Sequence, residues 1–324
     1  MESATPSAEL PLPMRNDPPA LPPAPTSVNP ANVRELTRHI TQEIWRALGL
    51  DPQAGLRHLL RPLVWAPTRR FSDLAARFDQ LVADAGFHEA ARWVLPKFIT
   101  RLEVEGEERV PRQGPLLITS NHPGGADSIA LAASLPRQDL KIVVSAMPFI
   151  RGLPNSASHF IYTTLDVHER MRVVRESIRH LRDGGSLLIF PRGQVEPDPA
   201  HLPGALEAVS QWSPSVGLIV KSVPETQVVP AIVSGVLAPS SLRNPLTHIR
   251  SNARDQQMLA EVLQIIQQML LPRPIAVAAR VRFGIPFLAG TGRALSPRAL
   301  SEEIIESARQ LLRDQMQRLG LGAR

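Results

Sequence analysis

The chain has 324 residues, 43% of them hydrophobic, enough for one large α/β domain with a smaller attachment. It contains no cysteine, which excludes disulfides, thiolate metal sites and a thiol nucleophile, and fits a cytoplasmic address. Its 36 basic residues outnumber 30 acidic ones for a net charge of +6, and apart from Lys97, Lys141 and Lys221 they are arginines.

A basic excess suits anionic lipid head groups or phosphates, although arginine-rich composition alone also produces it. Aromatic residues make up only 4% with a single tyrosine, so platforms for base stacking are scarce and no nucleic-acid partner is expected. No stretch of about 18 residues runs apolar without charge, so a spanning helix is not expected. Met1-Glu2-Ser3-Ala4-Thr5-Pro6 lacks the basic and apolar regions of a secretory signal.

In chain order, residues 1–30 are rich in proline, alanine and serine and read as a disordered tail. Residues 31–100 read as a helical module. Val33, Leu36, Ile40, Ile44 and Leu48 recur at helical spacing, and Phe71–Leu81 and Ala90–Phe98 continue the pattern. Trp45, Trp65 and Trp93 suit either core packing or a membrane interface, with core packing expected.

From 101 to 324 strands alternate with helices. Strands are expected at Pro115–Thr119, Leu140–Val144, Ser186–Phe190, Gln227–Val233 and Ile275–Phe283. Pro230 argues against a regular central strand at its position. Helices are expected at Ser128–Leu135, Glu169–Asp183, Arg254–Leu271 and Ser296–Leu319. The second of these presents Met171, Val174, Ile178 and Leu181 on one face and ends at Gly184. Arg172, Arg175, Arg179 and Arg182 form a basic stripe on it, either a solvated face or a surface for lipid or carrier phosphates. This alternation predicts an α/β fold, with a mixed, mostly parallel sheet flanked by helices.

Two loops carry candidate chemistry. Asn121-His122-Pro123-Gly124-Gly125-Ala126-Asp127 and Phe190-Pro191-Arg192-Gly193-Gln194-Val195-Glu196 each follow an expected strand. In open α/β sheets ligands gather beyond the carboxyl ends of strands, so both loops are expected on one rim. His122 is the candidate base and Asp127 the acid that orients it. The bland alternative is that Asp127 only caps the following helix and His122 bonds to backbone. Arg192 offers a forked donor set for phosphate or carboxylate, or is a solvent-facing turn residue. No second histidine or carboxylate cluster stands at ligand spacing, so no metal is expected.

Together these residues resemble the glycerolipid acyltransferase superfamily, that of the lysophosphatidate acyltransferases. Asn121-His122 with Asp127 is similar to its N-H-x4-D block, Phe190-Pro191-x-Gly193 to its F-P-E-G block, and Val229-Pro230-Ala231-Ile232 to its fourth block. The first two are most similar to the hemolysin-like lysophospholipid acyltransferase branch. Two departures stand out. Arg192 and Gln194-Val195 replace the family's glutamate and T-R pair, whose arginine is associated with the acceptor phosphate. The second block is poorly matched, with Arg151 or Arg170 as a stand-in for its arginine.

The resemblance implies an acyltransferase like the 1-acylglycerol-3-phosphate O-acyltransferases. The acyl group would come from a coenzyme A or acyl-carrier-protein thioester, with no bound cofactor. The acceptor would be a hydroxyl or amine of a lysophospholipid, glycerol phosphate or related lipid. Catalysis falls to His122 and Asp127, and substrate binding to Asn121, Gly124, Gly125, Arg151, Pro191, Arg192, Gly193 and Gln194. Backbone N–H groups around Gly124 and Gly125 are expected to stabilise the oxyanion. The protein would be cytoplasmic and peripheral on the inner membrane face, in contact with anionic lipid. A non-catalytic lipid-binding protein, or a thioesterase or other hydrolase on the same scaffold, are the alternatives. The sequence leaves the oligomeric state open.

Overall fold

A computed structural model describes residues 21–23, 25, 28–49, 56–164, 166–271, 275–290 and 296–321. Most of the expected proline-rich tail lies outside these residues.

Three helices come first: α1 (Pro30–Ala47), α2 (Leu56–Ala85) and α3 (Phe87–Val94). Asn29 caps α1 by accepting the Ala31 N–H, and Pro30 occupies the first position, where a missing N–H costs nothing. Val33, Leu36, Ile40 and Ile44 are buried, as their spacing predicts. They pack with Trp45 and Val64, and with Val262 and Ile266 of a later helix. Trp45 is buried and Trp93 packs against the main core, whereas Trp65 is 55% exposed, contrary to the core placement expected of it. Buried Asp79 of α2 fastens these helices to the rest of the chain. It accepts hydrogen bonds from the Ser156 amide at 2.8 Å and hydroxyl at 2.7 Å, and from the Asn155 side chain at 3.0 Å.

The remaining chain forms β1 (Arg101–Glu105), β2 (Leu116–Ser120), α4 (Ala126–Ser134), β3 (Leu140–Ser145), α5 (Pro148–Arg151), β4 (Phe160–Thr163), α6 (Val167–Arg182) and β5 (Ser186–Ile189). It continues with α7 (Ala205–Ser210), α8 (Ser215–Ser222), β6 (Gln227–Ser234), α9 (Pro239–Leu242), α10 (Ala253–Leu270), β7 (Ala278–Phe283), β8 (Phe287–Leu288) and α11 (Pro297–Arg318). Among the described residues the strands make one eight-stranded sheet in the order β1-β7-β6-β2-β5-β3-β4, with β8 also beside β6. β6, β2, β5, β3 and β4 run parallel; β7 and β8 pair antiparallel with β6. The fold is therefore the mixed, mostly parallel α/β sheet that the alternation predicts.

Side chains alternate between the two sheet faces with the period of a strand. Leu116, Ile118, Leu188, Val229, Ala231 and Val233 pack under α3 and α4. Leu117, Leu187, Ile189 and Val228 face α6 and α8 instead. Both faces are covered, which is why the central strands read as continuous apolar runs.

Two expectations need correction. β6 is a regular central strand despite Pro230, with residues 227–234 all in register with neighbours or between them. The Pro230 carbonyl accepts from the Gly284 amide, so its nitrogen faces the same side. That side lies between the Val228–Phe287 and Ala231–Phe283 pairs, where the ladder is interrupted, so the missing N–H falls outside the regular pairing. On α6, Met171 is 48% exposed rather than on the packed face, which is formed by Val173, Val174, Ile178 and Leu181. Among the described residues no helix is long and apolar enough to cross a membrane.

Candidate active site

β2 ends at Ser120, and the chain turns through His122–Gly125 into α4. The turn brings His122 back over the first turn of α4. Its Nδ1 lies 2.8 Å from Oδ2 of Asp127, and the same oxygen accepts the Gly124 amide at 3.1 Å. Asp127 sits inside α4 rather than capping it, and its side chain is fully buried. The His122 side chain is 26% exposed, and its Nε2 has no hydrogen-bond partner among the described residues. One face of the ring lies against Phe190, with centroids 4.5 Å apart. An imidazole held at one nitrogen and open at the other is the arrangement a general base needs.

The second loop closes on the first. Phe190 and Gly193 form a tight turn through the Gly193 N–H to Phe190 carbonyl bond, with Gly193 at φ +69°, a conformation that glycine adopts without a Cβ clash. The Glu196 amide donates to the His122 carbonyl at 2.7 Å, and Ser213 donates to the buried Pro191 carbonyl. The Glu196 carboxyl is buried and accepts the Trp212 indole N–H at 3.1 Å. Two residues on, buried Asp198 accepts the Gly235 amide at 2.8 Å, tying the loop to the end of β6. Thus the loops after β2, β5 and β6 meet on one rim, as expected of both motif loops.

Three carboxylates surround the imidazole electrostatically. Burial alone would lower the His122 pKa. The charge and hydrogen bond of Asp127, with smaller contributions from Glu261 and Glu196, override burial and push it up to about 9. Glu196 is pushed up to about 7 by burial, against the Trp212 hydrogen bond and the charges of Arg192 and His122. Glu261 of α10 is raised to about 7 by burial, against the Gly125 amide bond and the charge of His122.

The sequence-derived binding residues fare unevenly. Asn121 turns toward β6. It is 1% exposed, and its amide donates to the Val233 carbonyl and accepts the Val233 N–H, both at 2.8 Å. β2 has already ended there, so the side chain continues the pairing that backbone would have made. The Gly124 and Gly125 amides are not open as oxyanion donors. The first is taken by Asp127 and the second by Glu261 Oε1 at 2.5 Å. Arg192 is half-buried and donates to Gln211 at 3.2 Å, so it braces its own loop. Gln194 lies half-buried on that loop, and Gly193 is exposed. Arg151 is exposed at the end of α5, its guanidinium 5.0 Å from the centre of the Tyr162 ring, so its contact runs to β4 rather than to His122. The side chain of Arg170 lies outside the described residues. A cavity of about 410 Å³ lies elsewhere, lined by Glu105, Arg109, Arg282 and Arg318 among others.

Residues 101–234, from β1 to the end of β6 and including both loops, match the family model described as Acyltransferase. This match, over 134 of the 324 residues, supports the resemblance to the glycerolipid acyltransferase superfamily. Among solved structures it is similar to the 1-acyl-sn-glycerophosphate (LPA) acyltransferase PlsC from Thermotoga maritima. That chain is 13% identical with a TM-score of 0.40, over 86% of this chain and 98% of that one. No curated protein matches it in sequence.

Several residues of this candidate site escape a reading of the sequence alone. Glu261 and Gln257 come from α10, 136 and 134 positions after the residues of the first loop that they touch. Nothing local marks them except their spacing of four on a helix, which places both on one face. Glu196 closes the second motif and is visible there, yet only the fold shows that its side chain turns inward to Trp212.

Proposed function

We propose that this protein is an acyltransferase that moves an acyl chain from a coenzyme A or acyl-carrier-protein thioester to a hydroxyl or amine of a lysophospholipid or related acceptor, with His122 as general base. The supporting observation is the mostly buried imidazole, 26% exposed, whose Nδ1 is engaged by Asp127 and whose Nε2 has no partner among the described residues. Asp127 fixes the tautomer with the proton on Nδ1, leaving the Nε2 lone pair for the acceptor.

In this mechanism Nε2 takes the acceptor proton as its oxygen or nitrogen attacks the thioester carbonyl. The C–S bond of the tetrahedral intermediate then breaks, and the imidazolium returns the proton to the departing thiolate. No covalent enzyme intermediate forms. A base with a pKa of about 9 is strong but mostly protonated at neutral pH, so transfer should accelerate as pH rises.

The lipid acceptor would reach the rim from a membrane surface. Arg175, Arg179 and Arg182 are exposed along α6 and supply a basic face for anionic head groups, while Arg172 pairs with Glu176. With Val195 in place of the family's phosphate-associated arginine and Arg192 turned to Gln211, phosphate-free acceptors belong in the assay beside phosphate-bearing ones.

The test is incubation with acyl-coenzyme A or acyl-carrier protein and a panel of lysolipids, followed by mass spectrometry. A new ester or amide supports the proposal. Free fatty acid formed without any acceptor would assign a hydrolase. Vesicle binding without turnover of any thioester would assign a lipid-binding protein.

A further inference from the structure

We infer that α10 supplies two positioning residues to the His122 site, Gln257 and Glu261, which lock the two motif loops into one unit. The inference rests on His122 being the base, and it concerns residues outside both motif loops.

The geometry is direct. The Gln257 amide nitrogen donates to the Pro123 carbonyl at 2.7 Å and to the Glu196 carbonyl at 2.8 Å. One buried side chain thus joins the loop carrying the imidazole to the loop carrying the buried acid. A turn later, Glu261 Oε1 accepts the Gly125 amide at 2.5 Å, fixing the chain where it enters α4. A Cβ added to Gly124 would stand 3.1 Å from the same oxygen, so the carboxylate also lies close over the glycine pair. Gln264, a further turn along, donates to the Val236 carbonyl at 3.0 Å and accepts the Ala238 amide at 2.7 Å. The polar stripe of α10 therefore holds the chain after β2, β5 and β6. Val262 and Ile266 of α10 pack into the cluster with α1 and α2.

The two side chains act on different properties of His122. Gln257 carries no charge and acts only through loop geometry. Glu261 adds a negative charge beside a ring already faced by Asp127 from α4 and by Glu196 from the second loop, with Arg192 as the nearby cation. Holding the imidazole in one geometry is worth activity because small misplacements of a catalytic group are costly.

The experiment combines histidine-resolved NMR titration with transfer kinetics on the full chain. Glu261→Gln keeps an oxygen for the Gly125 amide but removes the charge. It should lower the His122 titration midpoint by about one pH unit and move the pH–rate profile by the same amount. Gln257→Leu should leave the midpoint within about 0.2 units of wild type while kcat falls roughly tenfold, with KM little changed. Glu261→Asp, which restores charge at shorter reach, should recover the midpoint more than the rate. A wild-type midpoint in Glu261→Gln, or wild-type kcat in Gln257→Leu, overturns the inference for that residue. The titration reads the ring without turnover. A shifted midpoint that the rate does not follow would therefore sustain the positioning by α10 and instead refute His122 as base.

Discussion

Oδ2 of Asp127 receives two donors at once, Nδ1 of His122 at 2.8 Å and the Gly124 amide at 3.1 Å. The carboxylate thus fixes both the imidazole and the glycine turn that presents it. Its other oxygen is buried without a hydrogen-bond partner, so its charge is directed almost wholly at His122 and the turn.

Asp127→Asn should therefore reduce transfer by about 10²–10⁴-fold at its optimum, because the amide favours the wrong imidazole tautomer. It should also shift the pH dependence. In the wild type, kcat/KM should rise with pH, pass half its plateau near pH 9 and level off above that, as His122 loses its proton. In Asp127→Asn the midpoint should fall toward the ordinary histidine value of about 6.5, so the residual activity becomes flat at a lower pH. A pH–rate profile of both proteins checks this.

Glu196 yields a stability prediction. Its carboxyl is 1% exposed and its pKa is raised from 4.5 to about 7, so the folded state holds a proton that the unfolded chain releases earlier. For a raised carboxyl the folded state is penalised as pH climbs from about 4.5 through 7. Glu196→Gln, which retains an acceptor for Trp212, should gain stability relative to wild type over that window, by up to about 3 kcal/mol above pH 7. The raised imidazole of His122 behaves with the sign of a favoured cation. Its contribution is complete below about pH 6.5 and lost as pH passes 9. Urea unfolding at pH 5 and pH 8 measures the difference.

Asn121 tests a structural assignment. Asn121→Ala removes both bonds to Val233 and leaves a buried N–H and C=O without partners beyond the end of β2. The expected loss is roughly 2–4 kcal/mol of stability. Activity per folded molecule should fall only moderately, because the side chain is sealed from substrate. An Asn121→Ala protein as stable as wild type in denaturant melts would contradict this role.

The legible parts of this molecule were those written in local periodicity. The apolar runs at β2 and β5, the two turn motifs after them and the Ser296–Pro297 helix start each depend on neighbours in sequence, and each stands where the pattern puts it. What escaped depended on partners far along the chain. Pro230 argues against a central strand until β7 and β8 are known to leave a gap at its nitrogen. Gly124 and Gly125 look like free amide donors until Asp127 and a residue of α10 are seen to occupy them. Asn121 has the sequence position of a substrate contact, yet its bonds are spent on β6. Burial of Trp65 was expected from its type alone, and only the packing of Val64 between α1 and α10 shows that its neighbour faces outward.

The central claim is that the imidazole of His122 performs the proton transfer. The most direct measurement is thioester-dependent acyl transfer by His122→Ala at pH 8–9, with circular dichroism and heat denaturation run in parallel. The structure predicts a native-like circular dichroism spectrum, a lowered melting temperature because the buried Asp127 carboxylate keeps only the Gly124 amide, and transfer reduced to background. Turnover within a few-fold of wild type in a folded His122→Ala protein would contradict it.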